Sequence, residues 1–481
     1  MKKNTLIYKN WKVTHRTLLV LAIFIISGCK KLVNVPPPTT GLASGSVYEN
    51  DQAAISAVTG IYTRIMNSPN FVSGQGVTFF CGLSADEFTL WNGITNNAEI
   101  AYYTNNLAVN IAGSELWNAL YPYIFQCNDA ITYLNNSTSL TPAIRVQLLG
   151  EAKFMRALFY FYLTNLYGPL PLVLTTNYTS NALLSREPQT TIYQQIISDL
   201  HDAENLLSPQ YLDGTLLVTS NDRVRPTKWA AMALLARAYL YSDDWGNAEN
   251  LADSVINNST LFKLSSLKNA FLRASLGNLE AIWQMQPVTT GQTNTQDAPL
   301  YIITSTGPSI AQPVYLSNSL LQSFEPNDGR RLVWVDSVVI SGKVFYYPYK
   351  YKINTLNSPV TEHQMILRLA ELFLIRAEAR AQQGDISGAQ TDLNVIRSRA
   401  GLPNTTANSQ TDLLSAIMRE RRIEFFAELG NRWLDLKRTN SVDSVMSPAC
   451  IVKGGNWNTY QKLYPIGDVP TDPNLVQNSG Y

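Results

Sequence analysis

The sequence predicts a mostly α-helical protein that carries one large irregular region, and three observations predict it. Nine segments repeat apolar residues at the 3.6-residue period of an amphipathic helix. Two of the hairpins they form hold Ala residues twelve apart around a tight turn, Ala236 to Ala248 and Ala377 to Ala389, where a small side chain lets two helices approach closely. Between those hairpins, residues 261–361 abandon the period for Gly, Pro, Thr and Asn.

In chain order, the first element is an export signal at 1–28. Basic residues up to Arg16 precede the apolar run Leu18 to Ile26, then Ser27 and Gly28 before Cys29. Nine apolar residues are too few to span a bilayer, which takes roughly 20. Ile26-Ser27-Gly28-Cys29 resembles the bacterial lipobox, which implies acylation of Cys29 and membrane attachment through covalent lipid. Residues 29–45 read as the lipidated cysteine and a tether, because Pro36-Pro37-Pro38 favours extended polyproline II and resists helix.

The 481 residues are 45% hydrophobic and 10% aromatic, enough for a large core. The chain has 37 Lys and Arg against 36 Asp and Glu, but five basic residues and no acid lie before Cys29. The mature body therefore has 32 basic and 36 acidic side chains, a net −4, which argues against nucleic acid as a partner. Four cysteines without a C-x-x-C pair exclude a disulfide scaffold and a zinc site of that type.

The helices expected next are Asp51–Met66, Leu116–Leu134, Pro142–Leu166, Thr191–Leu207, Lys228–Leu240 and Trp245–Ile256, within a region spanning 46–260. Thr141 before Pro142, Thr227 after Pro226 and Gly168 mark starts and a stop. The second region, 261–481, opens with the irregular stretch 261–361, in which Leu300–Thr304 and Val335–Ile340 read as short strands. Helices resume over 362–440, at Gln364–Gln383, Ile386–Ala400 and Asp412–Leu429.

The hairpins around Asp244-Trp245-Gly246 and Gly384-Asp385-Ile386 resemble tetratricopeptide repeats. Several segments together resemble the SusD/RagB family of outer-membrane nutrient-binding lipoproteins. They are Glu151-Ala-Lys-Phe-Met-Arg-Ala-Leu-Phe-Tyr-Phe-Tyr162 running into Leu166-Tyr-Gly-Pro-Leu-Pro171, Arg225-Pro-Thr-Lys228, Leu369 to Ala379, Arg419 to Phe425 leading to Arg432 to Arg438, and Leu463-Tyr-Pro-Ile-Gly467 with Gln477-Asn478. The resemblance covers nearly all of the mature chain. It implies a SusD-like fold of four tetratricopeptide-like hairpins supporting a loop-rich half with short β-hairpins. It also implies a non-catalytic lipoprotein of the cell outer membrane, facing the surface, that binds oligo- or polysaccharide and delivers it to a SusC-like TonB-dependent transporter. A peptide ligand, or a protein-binding lid without ligand selectivity, are the alternatives. Lys30-Lys31 after Cys29 depart from the acidic residues that often follow the lipidated cysteine in surface-exported members.

Catalytic and cofactor motifs are absent: no Gly-x-Ser-x-Gly elbow, Walker loop or Rossmann fingerprint occurs, and His201 and His363 have no second ligand at metal spacing. No metal or cofactor is expected beyond the lipid at Cys29. Phe154, Leu158, Phe161 and Leu166, at helical spacing, are expected in the core. The charge run Arg419 to Glu424 reads as a solvated or ion-paired helix face, with Arg421 and Glu424 spaced for a pair.

A sugar site needs aromatic faces on loops, where rings stack on C–H groups, and amides or charges that bond hydroxyls. The stretch from Asp86 through Trp91, Asn92 and Asn96 to Tyr102 and Tyr103 has that mixture, as does Gln292 to Tyr301. The candidate ligand residues are Trp91, Asn92, Asn96, Tyr102, Tyr103 and Tyr301. The same rings would also serve to pack a loop on the helices. Tyr315, Trp334 and Tyr346 are weaker candidates.

Overall fold

The computed structural model describes residues 44–68, 70–288, 291 and 293–481; the export signal, Cys29, the tether up to residue 43 and Gln292 lie outside them. The helices of eight or more residues are α1 Asp51–Asn67, α2 Val77–Ser84, α3 Asn97–Thr104, α4 Glu115–Asn136, α5 Pro142–Tyr167, α6 Gln189–Leu206, α7 Lys228–Tyr241 and α8 Trp245–Ile256. After the irregular region come α9 Leu369–Gln382, α10 Ile386–Arg399, α11 Gln410–Glu424, α12 Asn431–Arg438 and α13 Val442–Val452. About half of the described chain is helical.

From α4 to α11 each helix packs against the next, and the pairs α1 with α4, α5 with α6, α7 with α8 and α9 with α10 make four tetratricopeptide-like units. The stack is unbroken at α8 and α9, although more than a hundred residues separate them in the chain. Ala236, Ala248, Ala377 and Ala389 are all fully buried, as close helix approach requires. Both hairpin turns use the same device: Asp244 and Asp385 cap the following helix, accepting from the amides of Asn247 at 3.2 Å and Gly388 at 2.9 Å. Phe154, Leu158, Phe161 and Leu166 lie in the core as expected.

Buried ion pairs join neighbouring helices. Arg156 of α5 donates from Nε and Nη2 to Asp199 of α6 at 2.8 and 2.6 Å, and Arg237 of α7 donates from Nε to Glu371 of α9 at 2.6 Å. Glu424 at the end of α11 is the centre of a larger network, accepting from Arg330, Arg368 and Arg399. Burial would push its carboxyl up, but the three guanidinium groups outweigh that and hold it well below the usual range. The charge run is thus ion-paired but buried: Glu420, Arg421 and Glu424 are all sequestered, and Arg421 pairs with Asp435 of α12 at 2.8 Å instead of Glu424.

Among the described residues, eight short strands form four antiparallel pairs: β1 Phe88–Leu90 with β5 Val314–Leu316, β2 Leu170–Pro171 with β3 Arg186–Glu187, β4 Ala281–Met285 with β8 Gln364–Arg368, and β6 Val335–Ile340 with β7 Lys343–Pro348. Three expectations change here. The helix expected from Gln364 begins only at Leu369, because Gln364–Arg368 pairs with β4 and is buried on both faces, a pattern that periodicity cannot tell from a buried helix. The helix expected to reach Leu429 stops at Glu424, since Ala427, Leu429 and Gly430 take φ of 52°, 46° and 69°. The run Leu300–Thr304 is not a strand; Asp297–Tyr301 forms a short helix. Val335–Ile340 is a strand as expected. The residues Tyr48–Tyr481 make one compact unit.

Candidate functional site

The site begins with a glycine. A Cβ at Gly82 of α2 would stand 2.3 Å from the ring of Phe88, so only a residue without a side chain lets β1 lie on this helix. Phe88 and Leu90 point inward, and alternation turns Thr89 outward, opposite Tyr315 of β5. The pairing continues past both strand ends: the Trp91 amide donates to Pro313 O at 2.7 Å and the Ser317 amide to Glu87 O at 2.8 Å. Hairpin β6–β7 packs beside β5, with the Tyr315 and Phe345 rings edge to face at 5.1 Å.

These elements floor a groove of about 710 Å³. Tyr103 at the end of α3, Tyr315 and Tyr346 present rings to it, and Val445, Pro448, Ala449 and Val452 of α13 make an apolar wall. Lys343 lies with Nζ 5.4 Å from the Tyr315 ring centre and 4.7 Å from that of Phe345, and Arg331 stands 4.4 Å over Tyr346. At the base, Asp86 accepts from Arg422 Nη2 at 2.7 Å and from Arg432 Nε at 2.8 Å. Burial would raise the Asp86 carboxyl, but the two guanidinium groups prevail and hold it at about 2. Behind it, Glu87 is buried with one oxygen unpartnered, and burial reinforced by Asp86 pushes its carboxyl up to about 8. Lys453 donates to the carbonyls of Leu83 at 2.6 Å and Ser84 at 3.2 Å; burial lowers its ammonium to about 7.

The sequence candidates fall in four places. Tyr103 lines the groove. Trp91 follows β1 on the outward side of the alternation, half-buried, with its ring against Gly93, and Asn92 is exposed in the same turn. Asn96 caps α3, accepting from the Ala98 and Glu99 amides, and lines a second, polar cavity of about 470 Å³ with Gln75, Glu99, Glu115 and Asn118. Tyr102 and Tyr301 are buried: Tyr102 stacks on Phe80 at 4.4 Å and donates to Glu115 at 2.7 Å, and Tyr301 packs under β1 against Phe88 at 5.5 Å. Successive residues of a helix diverge by about 100°, which is why Tyr102 and Tyr103 face opposite surroundings.

The weaker candidates Tyr315 and Tyr346 both reach the groove, while Trp334 is fully buried and donates to Leu267 O at 2.8 Å. Sequence reasoning missed Thr89, Lys343, Arg422, Arg432 and Lys453 as lining residues. Arg422 and Arg432 stood in segments that read as scaffold, and only the fold brings them under residues 86–89. No group of three or more His, Cys, Asp or Glu side chains that could hold a metal ion occurs among the described residues. No helix among them is long and apolar enough to cross a membrane.

Two family models match in order along the chain, one described as "Starch-binding associating with outer membrane" over residues 74–240 and one described as "SusD family" over 339–481. A SusD-like protein of Bacteroides ovatus is 25% identical over 472 residues, covering 87% of this chain and 81% of that one. Among solved structures, a SusD superfamily protein from Bacteroides vulgatus superposes with a TM-score of 0.75 at 19% identity, over 90% of this chain and 100% of the other. A surface glycan-binding protein A from Bacteroides uniformis does so with a TM-score of 0.74 at 22% identity, over 89% and 99%. With both models placed on a stack of four tetratricopeptide-like units and its loop-rich half, the chain belongs to the SusD/RagB family.

Proposed function

We propose that this chain is a lipid-anchored protein of the outer membrane, facing the cell surface, that binds a complex glycan in the tyrosine-lined groove and passes it to a SusC-like TonB-dependent transporter. The observation that carries the reading is the groove itself. Tyr103, Tyr315 and Tyr346 converge on one cavity, with Thr89, Asn318 and Ser319 between them to bond hydroxyl groups. The glycan-binding description of the Bacteroides uniformis neighbour supports it. The lipobox at Cys29 and the outer-membrane description of the family model support the anchor and its place. The protein binds its ligand without cleaving it, since the groove holds a single carboxylate among its described residues, Asp86, and that one is committed to two arginines.

Calorimetry of the mature chain against a polysaccharide panel tests the reading. Tyr315→Ala is expected to weaken the best ligand at least about tenfold, the scale of losing one stacking ring. Binding of peptides alone would transfer the site to a peptide ligand. Cys29→Ala is expected to move the chain from the membrane fraction to the soluble one, and a neighbouring transporter gene or co-purifying transporter would support the partner.

A further inference from the structure

Resting on the assignment of this groove as the glycan site, we infer that its ligand is an anionic glycan, one whose sugar rings carry carboxylate or sulfate groups. Three cationic side chains line the groove, Lys343, Arg422 and Arg432, together with Lys453, whose ammonium burial lowers to about 7, against one carboxylate among the described lining residues, Asp86. That excess stands out in a mature body whose net charge is −4.

Many interior cations of this protein are paired with carboxylates, although the buried Arg223 is held by backbone carbonyls. Arg330 contacts Asp328, Glu420 and Glu424, Arg368 contacts Glu280, Glu424 and Glu428, and Arg399 contacts Glu280 and Glu424. Two of the groove's cations also stand outside these networks. Lys343, exposed on the rim, lies over aromatic rings, and Lys453 is held by carbonyl oxygens; neither has a carboxylate within 4 Å among the described residues. Arg432 engages Asp86 through Nε and Nη2, which leaves Nη1 for another acceptor. Glu87 does not cancel the excess, because it is buried and largely protonated at neutral pH.

The placement of the charge matters as much as its amount. A neutral sugar stacked on Tyr315 or Tyr346 needs only the ring, yet each ring has a cation over one face, Lys343 and Arg331. A cation at the height of a stacked sugar meets the substituents on that sugar, and the apolar wall of α13 strengthens the attraction by excluding water. Guanidinium groups suit carboxylate and sulfate oxygens in particular, since two N–H groups match two oxygens.

The test is calorimetry of the mature chain against matched polymers that differ in charge alone. Polygalacturonate against its fully methyl-esterified form isolates the carboxylate, and κ-carrageenan against its chemically desulfated form isolates the sulfate. At least one charged polymer is expected to bind about tenfold or more tightly than its neutral counterpart, and to weaken as salt is raised. Lys343→Gln is expected to reduce that binding about fivefold, the scale of one partly exposed charge, with the melting temperature unchanged. Equal affinity for charged and neutral polymers, both lost in Tyr315→Ala, would overturn the anionic preference and leave the groove as the glycan site. A charge preference that survives both Lys343→Gln and Tyr315→Ala would overturn the site and this inference together.

Discussion

Two side chains near the groove give residue-scale predictions that separate binding from folding. Trp91 is half-buried against Gly93, so Trp91→Ala is expected to weaken glycan binding while the melting temperature falls by no more than about 3 °C, as for a loop ring of limited burial. A large thermal loss would make Trp91 a packing residue. Glu87 has the opposite profile, with no direct ligand role but a pH-dependent cost. Its folded carboxyl titrates at about 8 against an ordinary value near 4.5, so its cost is absent below pH 4.5, grows between 4.5 and 8, and is constant above. Glu87→Gln is therefore expected to stabilise the fold at pH 9 by several kcal/mol and to have little effect at pH 4.5, measured by thermal melts across that range. Residue types on the sequence foretold an aromatic, amide-rich loop here, but not which rings face outward. Tyr102 and Tyr103 are adjacent and equally aromatic, and one is core while the other lines the groove.

Single helix contacts decide the stability of the elements that carry the site. Gly82 sits where α2 meets β1, and Gly82→Ala drives a methyl group into the Phe88 ring. The variant is expected to lose about 1–3 kcal/mol, as overpacking does, and to weaken ligand binding because β1 carries Thr89 and abuts Tyr315. Arg237→Ala would leave Glu371 buried without its partner between α7 and α9, with an expected loss of about 3–5 kcal/mol in chemical denaturation. Replacing both residues with apolar side chains of similar size is expected to recover most of that loss, since the cost lies in the stranded charge. The helices legible in the sequence were the long ones, including Pro142–Tyr167, which is buried over most of its length. Trp245–Ile256 appears exactly as its period indicated, whereas Gln364–Arg368 is surrounded by protein and showed no period to distinguish strand from helix.

Across the whole molecule, buried carboxylates bind the loop-rich half to the helical stack. Glu424 accepts from Arg330 and Arg368 outside α9 to α11 and from Arg399 within them, and Asp86 is clasped by Arg422 of α11 and Arg432 of α12. Both carboxyls are held below their ordinary values, so their stabilisation is complete above about pH 4.5 and is lost as pH falls toward 2. Circular dichroism is expected to show acid unfolding that begins below pH 4 and comes from the molecule as one unit. A body that unfolds in two separate acid steps would mean that the networks do not couple its halves. The amino-acid sequence by itself determined the helical class, the paired Ala turns, the export signal and the family resemblance, because periodicity, caps and signal patterns are local in the chain. It did not determine that α8 meets α9 across more than a hundred residues, that Glu420, Arg421 and Glu424 of the charge run are buried, or that Tyr103, Tyr315, Tyr346, Arg422 and Arg432 surround one cavity. Those facts depend on contacts between residues up to hundreds apart, and only close packing of the finished fold selects which distant side chains meet.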